Sequence, residues 1–107
     1  MTKTLTQQLI EDEGVIPHAY QDSLGYWTIG VGRLIDARKG GKLSEDEIQY
    51  LLANDIKNKT IDCQKLFPAF DTFSQSRKDA LVNLMFNLGY ENLSSYRFFV
   101  AQVNTGD

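Results

Sequence analysis

The sequence predicts an α+β fold that is mainly helical, and three observations carry the prediction. Four segments combine cap residues with apolar side chains at helical spacing. Only one region, residues 18–31, has short aromatic and β-branched runs around a glycine-bearing turn. The 107 residues, 42% of them hydrophobic, suffice for one compact domain or for two lobes sharing a helix, with an adequate but not large core.

The first helix covers Thr4 to Glu13. Thr4 and Gln7 form a capping-box pattern, and Gly14 is the residue type that closes a helix with a left-handed cap. Leu5, Leu9 and Glu13 recur every four residues, so the carboxyl of Glu13 shares their stripe and stands at the negative end of the helix dipole. Glu11 and Asp12 fall elsewhere on the wheel and are expected to be solvated. The run His18 to Asp22, the turn Ser23-Leu24-Gly25 and the run Tyr26 to Val31 then read as a hairpin. Alternation sets Trp27, Ile29 and Val31 on its apolar face and Tyr26, Thr28 and Gly30 on the other. Asp36 to Lys42 reads as a linking loop.

Ser44, with Glu47 three residues on, opens a long helix with Glu45, Asp46 and Glu47 in its first turn and Lys57, Lys59 and Lys65 later, an order that complements the dipole. Ile48, Leu51, Leu52, Ile56 and Cys63 keep the helical period, which gives about five turns before Pro68. Ser74 caps a third helix whose segment Ala80 to Leu88 is apolar on nearly every side, the mark of a buried helix, until Gly89. Asn83 and Asn87 interrupt it on one stripe, and a buried amide there needs either a ligand or a partner in the core. A last helix, Ser95 to Asn104, presents Tyr96, Phe99, Val100 and Val103; Gly106 reads as its stop and Asp107 as the cap of another. The expected organisation is a hairpin lobe over residues 14–43, a connecting helix over 44–65 and a partial helical lobe over 66–107, on which the helix of residues 1–13 packs.

Two carboxyls in this pattern invite a chemical reading. Partial burial and the helix C-terminus both favour the protonated form of Glu13, the state a general acid requires. A turn position keeps Asp22 wet and ionised, as a base or water-positioning group must be. With the hydroxyl of Thr28 six residues on, this is the equipment of glycoside hydrolysis. The plain structural reading is a polar helix end and a turn-forming aspartate. Other chemistries find less support. Cys63 is the sole cysteine and sits in a helical pattern, which makes it a packed thiol; it has no disulfide partner within the chain and suits a reducing compartment. His18 has no triad or metal partner, so neither metal nor cofactor is expected. Gly30-x-Gly32 lacks the third glycine of a phosphate site, no basic stripe points to nucleic acid, no run is long enough to span a membrane, and no signal-peptide core is present.

The block Asp12-Glu13-Gly14 and the run Tyr20-Gln21-Asp22-Ser23-Leu24-Gly25-Tyr26-Trp27-Thr28-Ile29-Gly30-Val31-Gly32 resemble the T-even bacteriophage lysozymes, endolysins of glycoside hydrolase family 24 with the signature E-x(8)-D-x(5)-T. Leu66-Phe67-Pro68 through Arg77, Ala80, Asn83 and Phe86-Asn87-Leu88-Gly89 is similar to that family's central helical region, so the resemblance covers nearly the whole chain. It implies a lysozyme-like fold, with a β-hairpin lobe joined by a long helix to a helical lobe and the sugar chain bound between them. It also implies hydrolysis of the β-1,4 bond between N-acetylmuramic acid and N-acetylglucosamine in peptidoglycan, with inversion. Glu13 would protonate the leaving oxygen while Asp22 and Thr28 handle the water; Tyr26, Gly32, Arg33 and Asn87 would contact substrate. An inverting pair stands roughly 6.5–9.5 Å apart.

The chain departs from the family at three points. Family members continue with further helices, so this chain reads as truncated, with apolar faces around Leu81, Met85 and Phe99 left open to self-association. An inactive fragment that binds peptidoglycan is therefore the competing expectation. Arg33 stands where the family often has His, its role in the fold kept as an ion pair. The net charge of −3 is unusual for an enzyme of an anionic wall; Arg33, Arg38, Lys39 and Lys42 are read as solvated loop residues. Without a signal peptide, the resemblance implies synthesis in the host bacterial cytoplasm and release to the wall through a holin-type pore.

Overall fold

The computed structural model describes residues 2–106. The chain divides into two compact units, Met1–Glu45 and Asp46–Asp107.

The first unit opens with helix α1, Leu5–Glu13. Both halves of its capping box are formed: the Gln7 N–H donates to Thr4 Oγ1 at 3.1 Å and the Thr4 N–H to Gln7 Oε1 at 2.9 Å. Gly14 ends it, donating to the Ile10 carbonyl at 2.8 Å, but with φ 78° and ψ 170° the backbone turns straight into an extended strand instead of a left-handed helical cap. The apolar stripe does not bury the helix. Leu5 and Leu9 are 69% and 44% exposed, and Glu13 is exposed, contrary to the expected half-burial. Spacing specifies which side chains share a face and leaves open what covers them.

A three-stranded antiparallel sheet follows, in the order β1 (Ile16–Gln21), β2 (Trp27–Gly30), β3 (Arg33–Leu34). Tyr20 pairs with Thr28 and Gln21 with Trp27, while Thr28 and Ile29 pair on the other side with Leu34 and Arg33. The hairpin is present, and β3 extends it. Along β2 the expected faces are exchanged at two positions, Thr28 being buried and Trp27 45% exposed, while Ile29 and Gly30 are both half-buried; Val31, just past the strand, is 40% exposed. A threonine tolerates the inside because its hydroxyl donates to the Tyr26 carbonyl at 3.1 Å. The expected loop beyond β3 contains a single 3₁₀ turn, Ala37–Lys39.

The second unit is helical. Helix α2, Glu45–Leu66, begins directly after Ser44. Helix α3, Gln75–Leu88, is capped by Ser74, whose Oγ accepts from the Arg77 N–H at 3.3 Å. The last helix of the sequence reading is α5 (Arg97–Thr105), and a short helix that the sequence did not announce, α4 (Tyr90–Ser95), precedes it, with Tyr96 at ψ 72° between the two. Gly89 ends α3 as expected, yet its carbonyl also starts α4 by accepting from the Leu93 N–H. Gly106, left-handed at φ 82° and ψ 12°, stops α5. Asp107, read as a further cap, lies outside the described residues.

Cys63, Phe67, Phe70, Leu81, Met85, Leu93 and Val103 form the buried core, flanked by Leu66, Phe73, Val82, Leu84, Leu88 and Val100. Leu81 and Met85 are thus covered within the chain, which removes the ground for self-association through them. Phe86 on the opposite side of α3 is 46% exposed, so that helix is not buried all round. No helix among the described residues is long and apolar enough to cross a membrane.

Candidate active site

Five of the seven residues singled out by sequence lie in β1–β3 and the turns joining them, and Glu13 reaches them from the end of α1. The Glu13 carboxyl lies against Gly32: a Cβ at that position would stand 2.8 Å from Oε2 and 3.0 Å from Cδ. Gly32 has φ +65°, so it makes the turn from β2 to β3 and leaves room for the acid at once. Glu11 is engaged elsewhere, in an exposed ion pair with Lys3.

Asp22 closes the β1–β2 turn. Its Oδ1 accepts from the N–H groups of Leu24 and Tyr26, both at 2.9 Å, and its own N–H donates to the Tyr26 carbonyl at 2.8 Å. No described residue donates to Oδ2, so one oxygen fixes the carboxylate and the other is open to a water. Asp22 is half-buried, drier than expected of a turn aspartate. Thr28 spends its proton on the Tyr26 carbonyl, which leaves its oxygen free as an acceptor. Tyr26 is therefore held through its backbone by both residues.

Arg33 is exposed and donates to the Lys42 carbonyl at 3.0 Å. Asn87 belongs to the second unit and is exposed, so a buried core amide is excluded there. Its Nδ2 donates to Asn83 Oδ1 at 3.1 Å and to the Asn83 carbonyl at 3.2 Å. Both amides line an open groove of about 710 Å³, together with Leu52, Ile56, Phe70 and Phe86.

The sequence reading missed Asp36. Only 5% exposed, it accepts at Oδ1 from the N–H and Nε of Arg38, each at 2.9 Å. At Oδ2 it accepts from Arg38 at 2.7 Å and from the Trp27 N–H at 3.1 Å. The Arg38 guanidinium and then the Trp27 N–H hold this carboxyl well below the usual carboxylate range, against the opposing effect of burial. Arg38 also donates to the Gly25 carbonyl at 3.1 Å, and its guanidinium and the Lys39 ammonium lie 5.2 and 5.0 Å from the centre of the Tyr26 ring. Half of the basic cluster read as solvated is thus part of the hairpin's framework. The available signal was an aspartate two residues before an arginine and four before Gly40-Gly41, a local turn pattern.

A family model described as phage lysozyme matches residues 10–107, a span that contains every element from the end of α1 onward. The chain belongs to the phage lysozyme family. Among its relatives, the probable T4-type lysozyme 1 of Dictyostelium discoideum is 28% identical over 91% of this chain and 72% of its own length. The SAR-endolysin of Haemophilus phage HP1 is 30% identical over 82% of this chain and 47% of its own, and the endolysin of Acyrthosiphon pisum secondary endosymbiont phage 1 is 28% identical over 89% and 63%. The chain thus spans from about half to about three quarters of the length of these phage lysozyme relatives. Family membership sets its class, a lysozyme-type glycoside hydrolase, and agrees with a mainly helical α+β fold carrying one small antiparallel sheet.

Proposed function

We propose that this chain is a muramidase of the endolysin type, cleaving the β-1,4 bond between N-acetylmuramic acid and N-acetylglucosamine with inversion. The observation that carries the reading is the half-engaged carboxylate of Asp22, anchored by two N–H groups at one oxygen and open at the other, in the same unit as an unencumbered Glu13. In this reading Glu13 donates its proton to the leaving glycosidic oxygen. Asp22 takes a proton from the attacking water through Oδ2, and the acceptor lone pairs of Thr28 orient that water. Tyr26, Gly32, Arg33 and Asn87 contact the glycan in the same proposal, and the enzyme, made in the host bacterial cytoplasm, reaches the wall through a holin-type pore.

The second reading is a wall-binding piece without turnover; the chain spans 47–72% of these relatives' lengths. Clearing of purified peptidoglycan separates the two. Hydrolysis by the chain, lost by roughly 10²–10⁴-fold in Glu13→Gln and in Asp22→Asn, supports the enzyme. Binding without hydrolysis supports the alternative, and full activity in Glu13→Gln removes the proton-donor role. The anomer first released, followed by NMR, tests inversion.

A further inference from the structure

Asp22 is positioned by the strand it faces, and that strand is gripped from behind. The peptide units from Gly25 to Trp27 accept or donate on both sides. On one side stand the Asp22 carboxylate, holding the Tyr26 N–H, and the Thr28 hydroxyl, bound to the Tyr26 carbonyl. On the other, Asp36 Oδ2 holds the Trp27 N–H and Arg38 holds the Gly25 carbonyl, while Arg38 and Lys39 flank the Tyr26 ring. The Gly25 N–H completes the link by donating to the Asp22 carbonyl at 2.9 Å. We infer that the Asp36–Arg38 pair is a positioning clamp for the Asp22 carboxylate and the Thr28 hydroxyl, a role that rests on the water-handling assigned above.

Three features make the pair more than a surface ion pair. Asp36 is buried, all the hydrogen bonds at its two oxygens come from Arg38 or β2, and Arg38 is planar, so its Nε and terminal nitrogen fix both oxygens in one orientation. The loop that carries the pair is itself closed on the strand. Gly40 is left-handed and Gly41 packs so tightly that a Cβ there would stand 2.6 Å from the carbonyl carbon of Ile35 and 2.8 Å from the Asp36 nitrogen. The Asp36 carbonyl accepts from the Lys39 and Gly41 N–H groups, both at 3.0 Å. A clamp seated this firmly transmits an error in its own geometry to the residues it holds, and displacements of about 1 Å at reacting groups reduce rates by up to about 100-fold.

The test uses the whole chain with Asp36→Asn, Arg38→Gln and Arg38→Lys, the arginine positions serving as the milder change because that side chain is largely exposed. Initial rates are measured across concentrations of suspended peptidoglycan, and amide exchange is followed by NMR. The clamp predicts a maximal rate lowered roughly 10–100-fold at an unchanged half-saturating concentration, with Arg38→Lys partly restored. The Leu24 and Tyr26 amides lose protection while those of Phe67 and Met85 keep theirs. Folded variants with wild-type rates, or rate losses that only track the unfolded fraction with Leu24 and Tyr26 amides unchanged, overturn the clamp. If the amides respond but Asp22→Asn cleaves like wild type, the water-handling reading is what has failed, and the clamp's part in the reaction goes with it.

Discussion

The two units of the chain are held by different physics. Among the described residues, all seven buried hydrophobic ones, from Cys63 to Val103, lie in Asp46–Asp107, whereas the two buried in Met1–Glu45, Thr28 and Asp36, are both polar. The helical unit is a packed core, sensitive to volume and indifferent to any one hydrogen bond. The unit with the candidate acid and base is a hydrogen-bonded framework of short strands, where direction matters more than bulk. Small apolar burial suits a site: a core would fix positions to the tolerance of packing, but donors aimed at a carboxylate fix its orientation.

The largest effect that separates the units is loss of core volume. Phe67 is completely buried among Cys63, Met85 and Leu93, so Phe67→Ala removes about 3–5 kcal/mol from the helical unit. The chemical shifts of Tyr26, Thr28 and Trp27 are expected to persist just above the temperature at which that unit melts. If those signals collapse together with the helices in one transition, the two regions are a single cooperative body and not two separately held units.

Gly32→Ala sharpens the comparison within the first unit. The left-handed backbone alone costs about 1–2 kcal/mol, and the added methyl also displaces the Glu13 carboxyl, so activity falls by roughly 10–100-fold. Gly106→Ala in the helical unit has the same kind of backbone strain at φ +82° with nothing within 4 Å of the new Cβ. Similar losses of stability with unequal losses of activity are the expected result; equal activity in both would detach Glu13 from the reaction.

What was legible beforehand divides along the same line. Helix ends read well, because Thr4 with Gln7, Ser74, Gly89 and Gly106 act on backbone groups within a turn of themselves. The spacing of Glu13, Asp22 and Thr28 was equally legible, and so was the packed thiol at Cys63. Strand β3 escaped notice because two residues have no period, and α4 because Gly89 signals a stop and not a restart. The clamp was invisible for a deeper reason. Its bonds join Trp27 to Asp36 and Gly25 to Arg38, nine and thirteen residues apart, and such pairings follow from the register of the sheet and not from local preference. The exchange of Trp27 and Thr28 in β2 has the same origin, since hydrophobicity assigned the inside to Trp27 while a satisfied hydroxyl took it.

The smallest effects at neutral pH are the most discriminating, because the two units carry opposite titrations. Asp36 binds its proton more weakly in the folded chain than in the unfolded one, so the stability it adds is complete above the ordinary carboxylate value of 3.8 and drains away as the pH falls below it. Cys63 is the reverse case. Burial, aided by the nearby Asp62 charge, pushes its thiol from 9.0 to about 11; stability is intact below pH 9 and is lost as the pH rises through that interval, where the unfolded chain gives up the proton first. Acid is therefore expected to loosen the Tyr26 and Trp27 amides before the helices, and alkali to open the helices first. The thiol should resist alkylation at pH 8 until the helical unit unfolds, whatever happens at the hairpin. Asp36→Asn flattens the acid side alone and Cys63→Ala the alkaline side alone. A variant that changed both sides would show that the core and the framework share one transition.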